Sequence, residues 1–305
     1  YGDHRDLHSF PTRRSSDLDS RSPLYFLIIS AVINVFLDVA FIIWFGMGVE
    51  GCAYATVIAQ AVSALLCFLY IVRKFDILKL SREDFRISFG IMGRLLSIGI
   101  PMGLQFSITA IGTIIVQGAV NVFGSVYIAG FSAAGKIQNI VSTVFVAFGA
   151  TAATYVGQNR GAGNQERVEK SLKTGMLMEA VYWLFIGTLI YLVSTPVMHL
   201  FVSDAENAVV GLGSNYLRTM AFFYLLPAMT NGLQGYIRGW GRMNVCLMAT
   251  FLQIVGRVTS AYILVPRMGL EGIAYSCLIG WIVMLAYEVP YYLWLRGKLD
   301  CRKNL

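Results

Sequence analysis

The chain has 305 residues, of which 56% are hydrophobic and 13% are charged, and its formal net charge is +7. Soluble domains carry about 25% charged residues, so this chain cannot cover a globule of its size with polar surface. The composition excludes an ordinary soluble enzyme and favours an all-α polytopic membrane protein. The positive charge does not indicate nucleic acid, because the basic residues lie in short joints between apolar runs. The five single, scattered cysteines predict no metal site.

The first residues differ from all that follows. Residues 1–18 are basic and polar, without the apolar stretch of a signal peptide. Ser9–Leu18 resembles the translation of sequencing-adapter DNA; the alternative is a genuine basic tail. We expect residues 1–21 to be a non-native leader and the natural N-terminus to be missing.

Long apolar runs then alternate with short polar joints. Spanning a bilayer takes about 20 mainly apolar residues per helix. The runs predict about eight transmembrane helices, at about 24–44, 52–72, 94–120, 126–157, 174–194, 209–236, 243–265 and 270–295.

The joints form two alternating sets with unequal charge. The first set, which includes the 73–93 joint with the adjoining Arg94, the 158–173 joint and the C-terminal tail, holds sixteen basic residues. The second set holds one, Arg267. Because basic joints stay on the cytoplasmic side, we expect the first set and the C-terminus to be cytoplasmic.

An internal repeat links the two ends of the chain. Met47–Tyr54 (MGVEGCAY) is nearly identical to Met268–Tyr275 (MGLEGIAY), at an offset of 221 residues. Both copies join two spans on the same predicted side, which indicates parallel repeats. Tight turns with close helix packing are predicted at Gly48 and Gly51 and at Gly269 and Gly272.

The repeat also predicts the domain organisation. The later copy ends a unit of six spans, whereas only two spans of the earlier unit are present, so four helices are expected to be missing. The expected parts are the last two helices of an N-terminal bundle (22–79), a cytoplasmic linker (80–93), a complete C-terminal six-helix bundle (94–297) and a cytoplasmic tail (298–305).

Several motifs resemble those of the MATE multidrug exporters, whose superfamily includes the lipid-linked sugar flippases. They are Asn34–Asp38, Gly46–Gly51 followed by Ala53–Thr56, Gly99–Pro101, and Thr154–Gly163. The resemblance covers residues 22–298 and implies two bundles of six helices, of which family helices five to twelve are present.

Asp38 is the leading candidate for the chemistry of transport. A carboxylate at membrane depth is costly, so it is a functional hypothesis by default. Asn34 lies one turn earlier on the same face, and the pair could share a proton or a small cation. The alternative is a hydrogen-bond anchor between helices. The resemblance to DinF-like members implies that Asn34 and Asp38 belong to a proton or sodium site.

In the second bundle, the helices that carry acids in NorM-like relatives have only uncharged polar groups. We therefore expect no carboxylate cation site there. The candidates for a substrate cavity, which could equally be ordinary hydrogen-bonding groups, are Gln105, Thr109, Gln117, Tyr224, Asn231 and Gln234.

The remaining polar features of the spans have plainer interpretations. Glu179 and Glu288 are expected to reach an interface or a basic neighbour, and Glu288 is one possible partner for Arg257. Gly157 and Gly161 are interpreted as a turn that ends a helix on the cytoplasmic side. The sequence contains neither a nucleotide-binding loop nor a nucleophile–base motif, so no enzyme is predicted.

Together these features predict a monomeric secondary transporter in a bacterial plasma membrane. It would exchange H+ or Na+, with no other cofactor, for small amphipathic or cationic compounds by alternating access. The alternatives are a lipid-linked oligosaccharide flippase and, for the chain as it stands, an inactive fragment. Only Lys136, Arg218 and Arg257 could contribute cations to a flippase cavity.

Overall fold

The computed structural model describes residues 21–74, 88–202 and 207–303, and every regular element in these ranges is helical. The predicted leader lies outside the described residues, apart from Arg21. The helices are α1 (Arg21–Val39), followed by a π-helical turn (Ala40–Trp44), α2 (Gly48–Lys74), α3 (Phe89–Asn121), α4 (Ser125–Gly161), α5 (Gln165–His199), α6 (Asn207–Phe223), α7 (Leu225–Gly239), α8 (Met243–Met268) and α9 (Leu270–Lys303).

Seven helices within the described ranges are long and apolar enough to cross a membrane. They correspond to seven of the eight predicted spans. The described residues expose many large apolar side chains, among them Phe36 and Trp44. Such apolar surfaces are stable in contact with lipid, which agrees with the membrane environment that the composition predicted.

The sixth predicted span, 209–236, is broken into α6 and α7 at Tyr224. Pro227 lacks a backbone N–H, so it cannot continue the hydrogen-bond ladder normally. The indole Nε1 of Trp183 in α5 donates to the carbonyl oxygen of Ala221 over 3.1 Å. This bond satisfies a carbonyl beside the break, as neighbouring helices commonly do in membranes.

Several helices extend beyond their predicted bounds. α3 begins at Phe89 inside the predicted linker, and α9 continues to Lys303 through most of the predicted tail. α5 begins at Gln165 because the Asn164 side chain accepts a hydrogen bond from the backbone N–H of Arg167 at 3.2 Å. This N-cap stabilises the helix start within a polar joint that hydropathy alone leaves out.

The helix-ending turn predicted from the 157–163 motif lies at the end of that motif. Gly157 is still within α4, and Gly161 is the last residue of the helix. The residue that turns the chain is Gly163, whose φ of +72° belongs to the left-handed region that glycine adopts without steric cost.

The chain divides into two compact units, residues 1–88 and 89–305. In the first unit, α1 and α2 form a hairpin. Gly46 and Gly48 have positive φ, and a Cβ on Gly51 would lie 2.8 Å from the Cβ of Phe41. Glycine is therefore needed both for the turn and for the close approach of the helices.

The second unit holds α3–α9, which form six spans when α6 and α7 are counted as one. Its α8–α9 hairpin repeats the first turn: Gly269 has φ +60°, and a Cβ on Gly272 would lie 2.8 Å from the backbone of Leu264. The repeated motif thus builds the same turn in both units.

Aromatic side chains fill the core of the second unit. The rings of Phe145 and Tyr182 meet edge to face, with centroids 5.0 Å apart, and the Tyr224 ring centroid lies 6.4 Å from that of Phe145. Edge-to-face packing is favourable for aromatic rings, and these contacts join α4, α5 and the α6–α7 break.

Candidate functional site

Three polar side chains of α1 lie at four-residue intervals on the face that packs against α2. Ser30 Oγ donates to the carbonyl oxygen of Ala59 at 2.8 Å, and Asn34 Nδ2 approaches Thr56 Oγ1 at 3.4 Å. Since the helices run antiparallel, the same register brings Asp38 level with the first turns of α2.

Asp38 differs from the two polar residues before it. Its Oδ1 atom is buried and has no hydrogen-bond partner among the described residues. A buried polar atom is normally paired, since leaving it unpaired is costly. The carboxylate therefore has capacity to bind a proton or a cation.

A π-helical turn follows Asp38 directly, at Ala40–Trp44. The backbone N–H of Phe45 bonds to the carbonyl of Ala40, five residues earlier. Such turns within α-helices are rare and are frequent at functional sites. The first unit thus combines an irregular backbone with an unpaired acid at the same level.

In the second unit, two of the six cavity candidates come together. Gln105 Nε2 of α3 lies 3.1 Å from Gln234 Oε1 of α7 and 2.8 Å from Thr250 Oγ1 of α8. Arg238 Nη2 donates to Gln234 Oε1 at 2.8 Å. The two glutamines are buried, so they join three helices within the bundle.

The other four candidates do not join this network. Thr109 and Asn231 bond to carbonyls of their own helices, and Gln117 bonds to Asn121. Tyr224 is fully buried, and its hydroxyl is unpartnered within the described ranges. Three of these candidates thus bond within their own helices, and Tyr224 lies in the core of the second unit.

Glu179 and Glu288 do not reach an interface, and of the two only Glu288 has, among the described residues, the basic neighbour that was expected, Arg238. Their side chains are 1% and 0% exposed, and the four carboxyl oxygens lack hydrogen-bond partners among the described residues. Glu179 lies against α7, where a Cβ on Gly232 would be 2.5 Å from its Oε2. Hydropathy cannot reveal this, because both acids lie near predicted span ends.

Glu288 also does not pair with Arg257. The groups that act on its carboxyl are Gln234 and Arg238 of α7. Arg257 instead acts electrostatically on the buried Tyr216 of α6. The sequence carried one signal for the Glu288 site, the acid itself within an apolar run, but the partner depended on packing between α7 and α9.

The remaining cations of the spans are engaged separately. Arg218 Nε donates to Ser194 Oγ at 2.9 Å, and Lys136 Nζ lies 5.6 Å from the Phe201 ring centroid. A cavity of about 340 Å³ opens where α8 meets α9 and is lined by Tyr127, Arg267 and Glu271 among others. None of the six cavity candidates lines it.

These features define a polytopic α-helical membrane protein with ionisable groups at membrane depth, the class that includes secondary transporters. Residues 101–263, just over half of the chain, match the MatE family. The chain therefore belongs to the MatE family.

Its relatives include proteins named for multidrug resistance. The chain is 28% identical over 239 residues to the probable multidrug resistance protein YpnP of Bacillus subtilis, covering 77% of this chain and 52% of the relative. It is 25% identical over 284 residues to the probable multidrug resistance protein NorM of Thermotoga maritima, covering 88% and 57%. The chain thus spans little more than half the length of these relatives.

Solved structures show the same fold. A crystal structure of MATE in complex with MaL6 aligns with a TM-score of 0.82 at 24% identity, covering 92% of this chain and 63% of that one. The all-α polytopic membrane fold that the composition and motifs predicted is confirmed.

Proposed function

We propose that this chain is the greater part of a cation-coupled exporter that carries amphipathic or cationic small molecules out of a bacterial cell across the plasma membrane. The protein would work as a monomer with a cytoplasmic C-terminus, exchanging H+ or Na+ for substrate by alternating access. Family membership and the multidrug-resistance names of its relatives support export. The sixteen-to-one distribution of basic residues supports the orientation.

The observation that carries the coupling step is the unpaired Asp38. Its Oδ1 is buried beside a π-helical turn, in a span of mean hydropathy 2.6. In such surroundings a proton or a cation stabilises the carboxylate, so ion binding would change the packing of α1. The proposal includes a DinF-like subtype in which Asn34 would be the second ligand.

The flippase alternative is less well supported. A pyrophosphate-linked sugar would need several cations on one cavity, whereas Lys136 and Arg218 have separate partners within the second unit. Export of a small molecule requires no such cluster.

The test is Asp38→Asn in the complete reading frame that encodes this chain, expressed in cells without their own exporters. Export of a fluorescent lipophilic cation should fall to the level of empty cells, while the amount of protein in the membrane stays the same. Glu50→Gln is the matched control, because Glu50 is exposed at the start of α2.

Uptake assays in everted vesicles distinguish proton coupling from sodium coupling. Proton coupling predicts that collapsing the pH gradient stops uptake and that removing sodium does not; sodium coupling predicts the reverse. Retained export by Asp38→Asn would exclude Asp38 as the coupling residue.

A further inference from the structure

The second unit contains a buried polar cluster that the proposed coupling at Asp38 does not use. We call it the Glu288 cluster. It is formed by one residue of α3, two of α7, two of α8 and one of α9: Gln105, Gln234, Arg238, Cys246, Thr250 and Glu288.

Glu288 is the unsatisfied member of this cluster. Its side chain is 0% exposed, and neither carboxyl oxygen has a hydrogen-bond partner among the described residues. A buried carboxylate without a partner is strongly unfavourable, so such a group either binds a proton or pairs with a cation. Glu288 could be neutralised in either way, by a proton or by a neighbouring cation.

Arg238 is the cation that acts on Glu288, and it forms no hydrogen bond with either carboxyl oxygen. Its Nη2 donates to Gln234 Oε1 at 2.8 Å and approaches Gln105 Oε1 at 3.4 Å, while its Nε is buried without a partner. The guanidinium has five N–H donors, so it has donors left for a carboxylate. This geometry matches a protonated, neutral Glu288.

Few other titratable groups face Glu288. From α8, the buried thiol of Cys246 interacts with both Glu288 and Arg238. From α7, Arg238 is the charged group that acts on it. On α9 itself, Tyr291 and Tyr292 follow one turn later.

We propose that Glu288 is a proton-binding site of the second unit and that Arg238 exchanges partners with its protonation. When Glu288 holds the proton, Arg238 bonds to Gln105 and Gln234 and so links α7 to α3. When the proton leaves for water, Arg238 pairs with the carboxylate and links α7 to α9. A role of Glu288 in transport rests on the proposed export function. The titration of Glu288 does not depend on that proposal.

The packing of α7 allows this exchange without disturbing the rest of the unit. On its other side α7 approaches α4 at glycines: a Cβ on Gly149 would lie 2.8 Å from the carbonyl oxygen of Asn231. α7 is thus held against α4 by backbone contact. The side chain of Arg238, one residue before the end of α7, can change partners while α7 stays in place.

The experiment is infrared difference spectroscopy against pH on the complete protein in lipid nanodiscs. The background is Asp38→Asn with Glu179→Gln, which removes the coupling acid and the other buried acid of the second unit. A change in the carboxyl band then reports on Glu288 and cannot be mistaken for loss of coupling. A carboxyl band that titrates should be present and should disappear in Glu288→Gln. Glu166→Gln, at an exposed acid, should keep it.

Two further variants move the titration midpoint in opposite directions. Arg238→Gln removes the cation that stabilises the carboxylate, so the midpoint should rise by about 1–3 pH units. Gln105→Met removes an acceptor that Arg238 uses when Glu288 is protonated, so the midpoint should fall. Arg167→Gln, at an exposed basic residue, should leave it unchanged.

An unchanged band in Glu288→Gln would overturn the assignment of the proton site. A midpoint that neither Arg238→Gln nor Gln105→Met moves would overturn the partner exchange. Gln105→Met keeps the test decisive if Arg238→Gln does not fold.

Discussion

Replacing Gly235 by alanine should separate α7 from α4 and destabilise the second unit. A Cβ at this position would meet the carbonyl oxygen of Gly149 well inside van der Waals distance, and it would lie 3.0 Å from both the Gly149 carbonyl carbon and the Ala152 Cβ. Two of these three atoms are backbone, so no rotamer change relieves the overlap and the helices must move apart.

The size of the stability loss depends on how many close contacts the α4–α7 interface contains. Gly149 meets the backbone of Asn231, and Gly239 meets Val156 with an added Cβ at 2.5 Å, so a separation at Gly235 loosens the whole α4–α7 interface. Overpacking of this kind costs about 1–3 kcal/mol, partly offset by the better helix propensity of alanine, about 1 kcal/mol.

The assay is the apparent melting temperature of the complete protein in detergent, measured by size-exclusion chromatography after heating. The control is Gly175→Ala in α5, where an added Cβ would meet nothing within 4 Å and should be neutral or stabilising. If Gly235→Ala had the same melting temperature as Gly175→Ala, the packing of α7 on α4 would not depend on backbone contact. The argument from close approach would then be wrong.

Two further substitutions test the turns and the helix break by the same melting assay. Gly48→Ala and Gly269→Ala place a side chain at φ +56° and +60° and should each cost about 1–2 kcal/mol; equal melting with wild type would refute the need for glycine there. Trp183→Phe removes the donor to the Ala221 carbonyl and should cost about 0.6 kcal/mol, whereas a large loss of stability would show that Trp183 acts mainly through packing.

Local features of the sequence predicted much of the fold. Long apolar runs indicate membrane spans whatever their packing, because each span must satisfy its backbone internally. The MGxEG motif predicted two equivalent turns, and the structure places Gly48 and Gly269 at nearly the same φ. A turn of this kind depends only on residues close in sequence, so a single sequence can specify it.

Features that depend on which faces meet could not be predicted in this way. Pro227 in the sixth predicted span signalled a possible distortion, but the carbonyl at the break is satisfied by Trp183, 38 residues earlier in the chain. In the same way, Gln105 and Gln234 were candidates separately, and only packing shows that they are bonded to each other. Long-range partners follow from the tertiary structure and leave little trace in hydropathy.

Comparison of the two repeats distinguishes residues required by the fold from the ionisable residues that occur in one repeat alone. The glycine turns recur at an offset of 221 residues, yet Asp38 corresponds to Thr259 and Glu288 corresponds to Cys67. If these acids were required for helix packing, the equivalent helix in the other unit would need a comparable group at the same position. Since neither acid has a charged counterpart, the shared scaffold does not demand them. A carboxylate at membrane depth destabilises the scaffold unless it is neutralised, so this asymmetry supports the proposals of ion binding at the half-buried Asp38 and of proton exchange at the fully buried Glu288.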